Sequence, residues 1–500
     1  MTTVNTFKTV GIKAVPVMVE ASVEAGTGFA LDGLQDAACM QSTLRTLTAL
    51  QANGYHVPGK KVVIKLFPSD FYKTGAGYDL AIAIGLIGAS GQEQFAHLES
   101  TLVVGELSLA GEVRAVAGCV PAVLMAKEMG LTSIILPSAN AEEVRPFCDG
   151  LAVYPVSCLK DAIRVLNGDT DALPEIHEIP FQGSVQSPDA AWNSISGNEG
   201  AKRALEIAAA GGHNLLLIGV PGSGKAALAK ALMELLPPMS PSEYMETAQV
   251  YSISGRGKDI ASMRRPFRSP HISSSMAAML GGGPGDNVLP GEVSLANNGV
   301  LLLDEFAEMP KAKLDALRGP MEDGKVTISR LKSKVDFPAH FQLVATSNPC
   351  PCGYYGDGDR CTCTTSQRAA YLARLSGPVM ERIAVQAWVH PASSADVQGE
   401  TLDIVRERVA KARERQLLRQ GCLNENLSSR ELLKELRETD AEFIEKLVSK
   451  LGLSAGSFSK ILKLARTIAD LEDDDNVSTR HLAEAASFRF LDRMSVLENK

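Results

Sequence analysis

The sequence predicts a multidomain α/β protein: a central module built on buried parallel strands, an α+β domain ahead of it and a bundle of helices behind it. Three observations lead there. The chain has 500 residues, more than one hydrophobic core supports, so two or three domains are expected. Three short apolar runs, 214–218, 299–303 and 341–346, each end in glycine, acid or amide residues, as buried parallel strands do when only their ends meet solvent. After residue 402 the alternation of short elements gives way to continuous helical spacing.

Taken in order, residues 10–20 alternate as a strand, 39–53 carry apolar residues at helical spacing, 61–66 read as a strand and 81–89 as an apolar helix. Strands over 103–107 and 131–136 flank a helix over 121–129, which makes 1–168 an α+β domain. Residues 169–192 hold prolines and acids without periodicity and read as a linker. The α/β module occupies 193–392. Helices over 402–419, 428–437, 440–449 and 457–470, and a last one capped by Ser478, fill 393–500.

The strongest local signal is Gly219-Val-Pro221-Gly222-Ser223-Gly224-Lys225, which follows the first strand of the module and opens an alanine- and leucine-rich helix. In that setting the glycines let backbone N–H groups turn inward around a phosphate, the helix N-terminus adds positive dipole, and Lys225 supplies charge. The second strand ends in Asp304-Glu305. Paired carboxylates are costly to bury for packing alone; Asp304 suits Mg²⁺ held through water, and Glu305 suits polarisation of an attacking water. The third strand ends in Asn348, whose amide both donates and accepts and can orient that water. The pattern departs from a standard phosphate loop at Ala226, where a serine or threonine hydroxyl would ligate Mg²⁺. ATP and Mg²⁺ are the cofactors this constellation implies.

Several longer stretches accompany these motifs: AKRALEIAAAGGHNLLLIG at 201–219, FRSPH at 267–271, PGEVSLANNGVLLLDE at 290–305, LDALRGPMEDGKVTISR at 314–330, FQLVATSNPCPCGYYGD at 341–357, LSGPVMERI at 375–383 and KLARTIADL at 463–471. With GLQDAA at 33–38 they make the whole chain resemble the YifB/ComM family of magnesium chelatase-like AAA+ proteins. The resemblance implies a P-loop AAA+ module with a C-terminal helical lid. The domain ahead of it would be like those of Lon protease and ribosomal protein S5. It also implies a homohexameric motor that, in transformation-associated members, resembles a DNA branch-migration helicase; the wider relatives drive metal chelatases, so a protein partner engaged through the N-terminal domain is the alternative. By position, Arg382 falls where related motors place the arginine finger that reaches a neighbouring subunit's γ-phosphate. Gly456 replaces the lid arginine expected to touch nucleotide in cis. The loss of this arginine together with the hydroxyl at 226 leaves a nucleotide-gated scaffold with little hydrolysis as a further alternative. A Lon-type serine would align with Ala76 or Gly77 and its lysine with Val120; neither is present, so proteolysis is not expected.

The overall charge of −8 argues against a surface that coats nucleic acid throughout, yet local inserts are basic. Residues 325–334 read as a hairpin whose Arg330, Lys332 and Lys334 can contact phosphates; an ordinary solvated turn is the plainer alternative. Arg264, Arg265 and Arg268 lie in a second basic insert, 256–275. Cys350, Cys352, Cys361 and Cys363 place four thiols within fourteen positions, a set that can hold structural Zn²⁺, although the C-x-C spacing is tight; reduced thiols or a reversible disulfide are the other readings. The chain begins without a basic, apolar leader and has no apolar run long enough to span a bilayer, so a cytoplasmic protein without membrane contact is expected.

Overall fold

The computed structural model describes residues 1–32, 37–57, 59–68, 77–169, 175–181, 191–260, 262–283, 288–330, 334–375, 379–391, 399–451 and 453–492. The first domain is a mixed sheet of seven strands: β1 (Thr2–Val10), β2 (Lys13–Glu24), β3 (Phe29–Asp32), β4 (Lys61–Phe67), β5 (Thr101–Val103), β6 (Ser133–Pro137) and β7 (Ala152–Val156), in the order β3-β4-β2-β1-β5-β6-β7. Helices α1 (Ala37–Ala52), α2 (Asp79–Ala89) and α3 (Cys119–Glu128) cover it. The apolar run of α2 is buried from Asp79 to Ile87, and the Asp79 carboxylate at its start is satisfied by Arg45 Nε at 2.8 Å and by the Leu107 amide at 3.2 Å. The sequence reading placed one strand over 10–20; β1 and β2 instead pair as a hairpin about residues 11 and 12.

The central module is a five-stranded parallel sheet. Its strands are β8 (Leu215–Gly219), β9 (Phe267–Arg268), β10 (Val300–Leu303), then β13 (Gln342–Ser347) and β14 (Val385–Val389), in the order β9-β10-β13-β8-β14. The hairpin β11 (Lys325–Ser329) and β12 (Lys334–Pro338) precedes β13, where the sequence placed it. Every residue of β8, β10 and β13 is buried, which is why β8 and β10 read as unbroken apolar runs and β13 keeps its polar Gln342, Thr346 and Ser347 at its ends. Helices α4 (Glu199–Gly211), α5 (Lys225–Leu235) and α6 (Pro241–Ile253) pack on the module. Behind it, α7 (Leu402–Gln420), α8 (Ala455–Leu471) and α9 (Thr479–Ser487) join the same core. Ser478 caps α9, with a reciprocal bond from its backbone N–H to His481.

The two α/β units share a core. Residues of α3 and its surroundings, among them Val120, Val123 and Phe147, cluster with Tyr244, Ala248 and Tyr251 of α6. Tyr244 stacks on Phe147 at 5.5 Å between ring centroids, and Phe181, from the segment read as a linker, lies against its ring at 5.1 Å. The Gly118 amide donates to the Ser252 carbonyl at 2.9 Å and the Val120 amide to the Ser252 hydroxyl at 3.1 Å. Burying an aromatic of this kind contributes about 1.5–3 kcal/mol, so the N-terminal domain is fastened to the module by far more than its connecting chain. Val120, where a protease would need its lysine, is only 1 % exposed within this junction; Ala76 lies outside the described residues.

Glu143 is buried in the same junction, where it accepts from Asn140 Nδ2 at 2.6 Å. A side chain on Gly257 would fall onto its carboxylate. Burial raises the Glu143 pKa to about 7, against weaker lowering by Asn140, Ser252 and Lys258. The folded state therefore holds this proton longer than the unfolded chain. Its contribution to stability is full below pH 4.5, the value of a free glutamate, and is lost as pH rises through 7, a change of about 3 kcal/mol in total. Glu143→Gln should thus match the wild type in denaturant midpoint near pH 4.5 and exceed it near pH 8. Parallel pH profiles for the two proteins would contradict the assignment.

Candidate nucleotide site

The register of the sheet assembles the site. Ile218 pairs with Ser347, Gly219 with Val389 and Leu303 with Ala345, so β8, β10, β13 and β14 all end at one edge. Beyond β8 the chain turns through Gly222 and Gly224, with φ of 79° and 92°, the left-handed region that glycine adopts without cost. A side chain at either would meet nothing within 4 Å, so the loop is an open cup of backbone ahead of the N-terminus of α5. Lys225 folds back across it, donating to the carbonyls of Gly219 at 2.7 Å and Val220 at 2.9 Å and to Asn348 Oδ1 at 3.4 Å. Burial lowers the Lys225 pKa, and the Asp304 carboxylate works against that shift. The Ser223 hydroxyl is buried in the loop without a partner, a polar atom left for a bound group to satisfy.

Asp304 and Glu305 are both exposed at the end of β10. The Thr346 hydroxyl and the Glu305 amide both donate to Asp304 Oδ1. Glu305 sits at φ 53°, a conformation uncommon for a non-glycine residue. Lys225, Asp304, Glu305 and Asn348 thus converge on one cup, and the residues present fit a magnesium nucleotide: amides and Lys225 for phosphate, Asp304 for the ion. Pro221 is exposed on the rim. Ala226, on the first turn of α5, is exposed and brings a methyl where a hydroxyl would ligate the metal.

Arg382 stands elsewhere. Its carbonyl accepts from Asn214, the residue before β8, at 2.9 Å, and its guanidinium bonds Glu322 at 2.6 Å. It is therefore at the edge where the strands begin, opposite its own phosphate loop, in a cleft of about 670 Å³ shared with Arg265, His340 and Arg413. The lid position, Gly456, lies on a helix whose direction two contacts define. Helix α8 runs antiparallel to α4: Thr467 meets His213, at 2.8 Å, and the following Glu472 meets Arg203 at 3.5 Å. Gly456 lies on the first turn of that helix, three turns before Thr467.

Two of the basic candidates are also corrected. Arg265 donates to the carbonyls of Pro237 and Asn298 and to both Glu243 oxygens, and Arg268 makes a two-pronged pair with Glu292 at 2.6 and 2.8 Å. Both guanidiniums are committed to the fold. Arg264 is exposed, as are Arg330, which donates to the Gly283 carbonyl at 2.9 Å, and Lys334 at the start of β12. Lys332 lies outside the described residues. The hairpin rests on the N-terminal domain: Ile12 packs with Val335, Phe337 and Ile253.

Directly after Asn348 the four cysteines come together, all sulfurs within 4.8 Å of one another. Cys350 is 3.4 Å from Cys352 and 3.8 Å from Cys361, and Cys352 is 3.7 Å from Cys361. Sulfurs bound to zinc at about 2.3 Å in a tetrahedron stand about 3.8 Å apart, so the set fits such an ion despite the short C-x-C spacing. Backbone N–H groups of Tyr354 and Thr362 draw the Cys352 thiol down to about 6, the first acting most strongly, while burial pushes Cys350 up.

A parallel sheet ordered 9-10-13-8-14, a phosphate loop after β8, acids and an amide at the ends of β10 and β13 and a helical domain behind define an AAA+ module. Sequence comparison places it more narrowly. Models of magnesium chelatase subunit ChlI match residues 19–140 and 191–397, and a model of the ChlI C-terminal region matches 399–489. The chain is 40% identical to a protein of Salmonella typhimurium called uncharacterized protein YifB, with 99% of this chain and 98% of that one aligned. It is equally 40% identical to competence protein ComM of Haemophilus influenzae, over 97% and 96% of the two chains. An uncharacterized Mycobacterium tuberculosis protein, Rv2897c, is 36% identical over 96% of each. The chain belongs to the YifB/ComM family of magnesium chelatase-like AAA+ proteins.

The cup predicts distinct effects for neighbouring changes. Lys225→Ala should weaken binding of a fluorescent ATP analogue by about tenfold or more, whereas Ala226→Thr should strengthen its magnesium dependence. Equal titrations for wild type and Lys225→Ala would contradict the site.

Proposed function

We propose that this protein is an ATP-driven motor that moves on or remodels DNA, branched DNA in particular, as a homohexamer whose nucleotide sites are each completed by a neighbouring subunit. The observation that carries this reading is the division of the machinery between two edges of one sheet. Lys225, Asp304, Glu305 and Asn348 occupy the strand-end edge, and Arg382 occupies the strand-start edge, beyond reach of its own cup. In a ring, the strand-start edge of one subunit faces the cup of the next, and Arg382 there supplies a planar fork of donors to the γ-phosphate. ATP and Mg²⁺ bring the transferable phosphoryl group and its charge neutralisation. Glu305 takes up the proton of the attacking water, and Asn348 holds that water in line.

The DNA part of the proposal is supported by exposed Arg330 and Lys334 on a braced hairpin, by Arg264, and by relationship to a protein named for competence. Phosphate contacts of this kind bind without reading sequence. The same reading assigns a structural Zn²⁺ to Cys350, Cys352, Cys361 and Cys363. A second reading, a nucleotide-gated scaffold with little turnover, is favoured by Ala226 and Gly456. The N-terminal domain offers a surface for a protein partner in either case.

Phosphate release with and without single-stranded or four-way-junction DNA tests the motor, with Glu305→Gln as the background. Turnover that depends on Glu305 and rises with DNA is expected; turnover at the Glu305→Gln level in every condition selects the scaffold. Reversing Arg330 and Lys334 to glutamate should lower DNA affinity about tenfold or more at moderate salt and flatten its salt dependence by about two charges. An unchanged salt slope would remove the hairpin from the DNA path.

A further inference from the structure

We propose that the four-cysteine knuckle is a zinc-held clamp on the phosphate loop, so that occupancy of the metal sets the affinity for nucleotide. This rests on the zinc reading above and adds a role for the ion at the motor's own site.

The knuckle is built against the cup. Cys350 is fully buried two residues after Asn348, and Asn348 Oδ1 accepts from Lys225. Gly353 donates its amide to the Cys350 carbonyl at 2.9 Å and turns the chain at φ 87°. Its backbone lies so close to Pro221 that a Cβ built there would be 3.0 Å from Pro221 Cγ and 3.1 Å from Cδ, with Asn348 Cγ at 3.9 Å. The loop thus touches the rim of the cup at Pro221 and the reaction edge at Asn348, from two residues that flank its first pair of thiols.

What holds the loop in that place is the sulfur cluster. The Cys352 amide donates to Cys363 Sγ at 3.4 Å, a bond that orients a ligand sulfur as outer-shell partners of metal sites do. On the outside, the Arg360 guanidinium lies over the Tyr354 ring at 4.1 Å and Arg368 over Tyr355 at 4.6 Å. Four protein sulfurs leave no position open for water or substrate, which is the arrangement of a structural site, and soft thiolates select zinc over hard magnesium. With the ion bound, residues 350–363 are one rigid piece pressed on Pro221. Without it, thiol contacts, the two arginine–tyrosine contacts and the Gly353 turn are left to keep Gly353 on Pro221.

The test uses the full-length protein purified without chelator. Metal analysis should give about one zinc per chain, and titration with a fluorescent ADP should be repeated after chelation and after zinc is returned. Cys361→Ser and chelation should both remove the zinc and weaken ADP binding by about tenfold, with recovery when the chelated wild type regains metal. Gly353→Ala keeps all four thiols; it should retain zinc yet weaken binding several-fold, because its methyl pushes Pro221 away. This variant keeps the test decisive where Cys361→Ser does not fold. Protein without zinc, or with the cysteines joined as disulfides, overturns the proposal together with the zinc reading. Zinc present but ADP affinity unchanged by its removal and by Gly353→Ala overturns the clamp alone. Wild-type ADP binding no tighter than that of Lys225→Ala overturns the nucleotide site, and the clamp with it.

Discussion

Burial of β8, β10 and β13 on both faces constrains everything else in this protein. Strands enclosed in that way keep polar side chains to their ends, as β13 does with Gln342, Thr346 and Ser347, and the parallel register brings the C-terminal ends to one edge. Lys225, Asp304 and Asn348 meet there although they are far apart in sequence. The opposite edge is populated by the residues that precede the strands. Arg382 belongs to that second set, which is why a single chain cannot bring it to its own cup. The topology thus divides the candidate machinery between two edges of one sheet.

The rest of the chain steadies or loads this sheet. The N-terminal domain shares a core with α6 through Tyr244 and Phe147 and packs on the basic hairpin through Ile12. Glu143 inside that junction is a buried acid whose pKa burial raises to about 7, which makes the seam between the domains pH-sensitive. On the other side the cysteine knuckle leans on Pro221. The cup is therefore bounded by its own strand ends and by the knuckle.

Much of the site was legible in the sequence because it is local. The run Gly219–Lys225 after an apolar strand, the acids at 304–305, the amide at 348 and the hairpin over 325–334 each carry their signal within a few residues. Features that depend on distant partners were not legible. Arg265 and Arg268 look available in a basic segment, but Glu243 and Glu292, which neutralise them, come from other elements. The direction of α8 against α4, which carries position 456, is set by tertiary packing and has no local signal. Strand β1 was missed because its polar threonines and Asn5 hide the buried Val4 and Phe7, and the junction of the domains left no sequence mark beyond apolar helix faces. The cysteines announced a cluster, whereas its contact with Pro221 is a property of the folded loop.

The central claim is that each nucleotide is served by Glu305 of one subunit and Arg382 of another, and mixing two inactive variants tests it most directly. Glu305→Gln and Arg382→Ala proteins would be combined, allowed to exchange subunits, and assayed for magnesium-dependent phosphate release. If the site is shared, each variant alone is inactive and the mixture regains turnover, since some interfaces then pair an intact Glu305 with an intact Arg382. If the mixture stays at the level of the separate variants while mixed assemblies are demonstrably formed, the two residues do not act across a subunit boundary and the account fails.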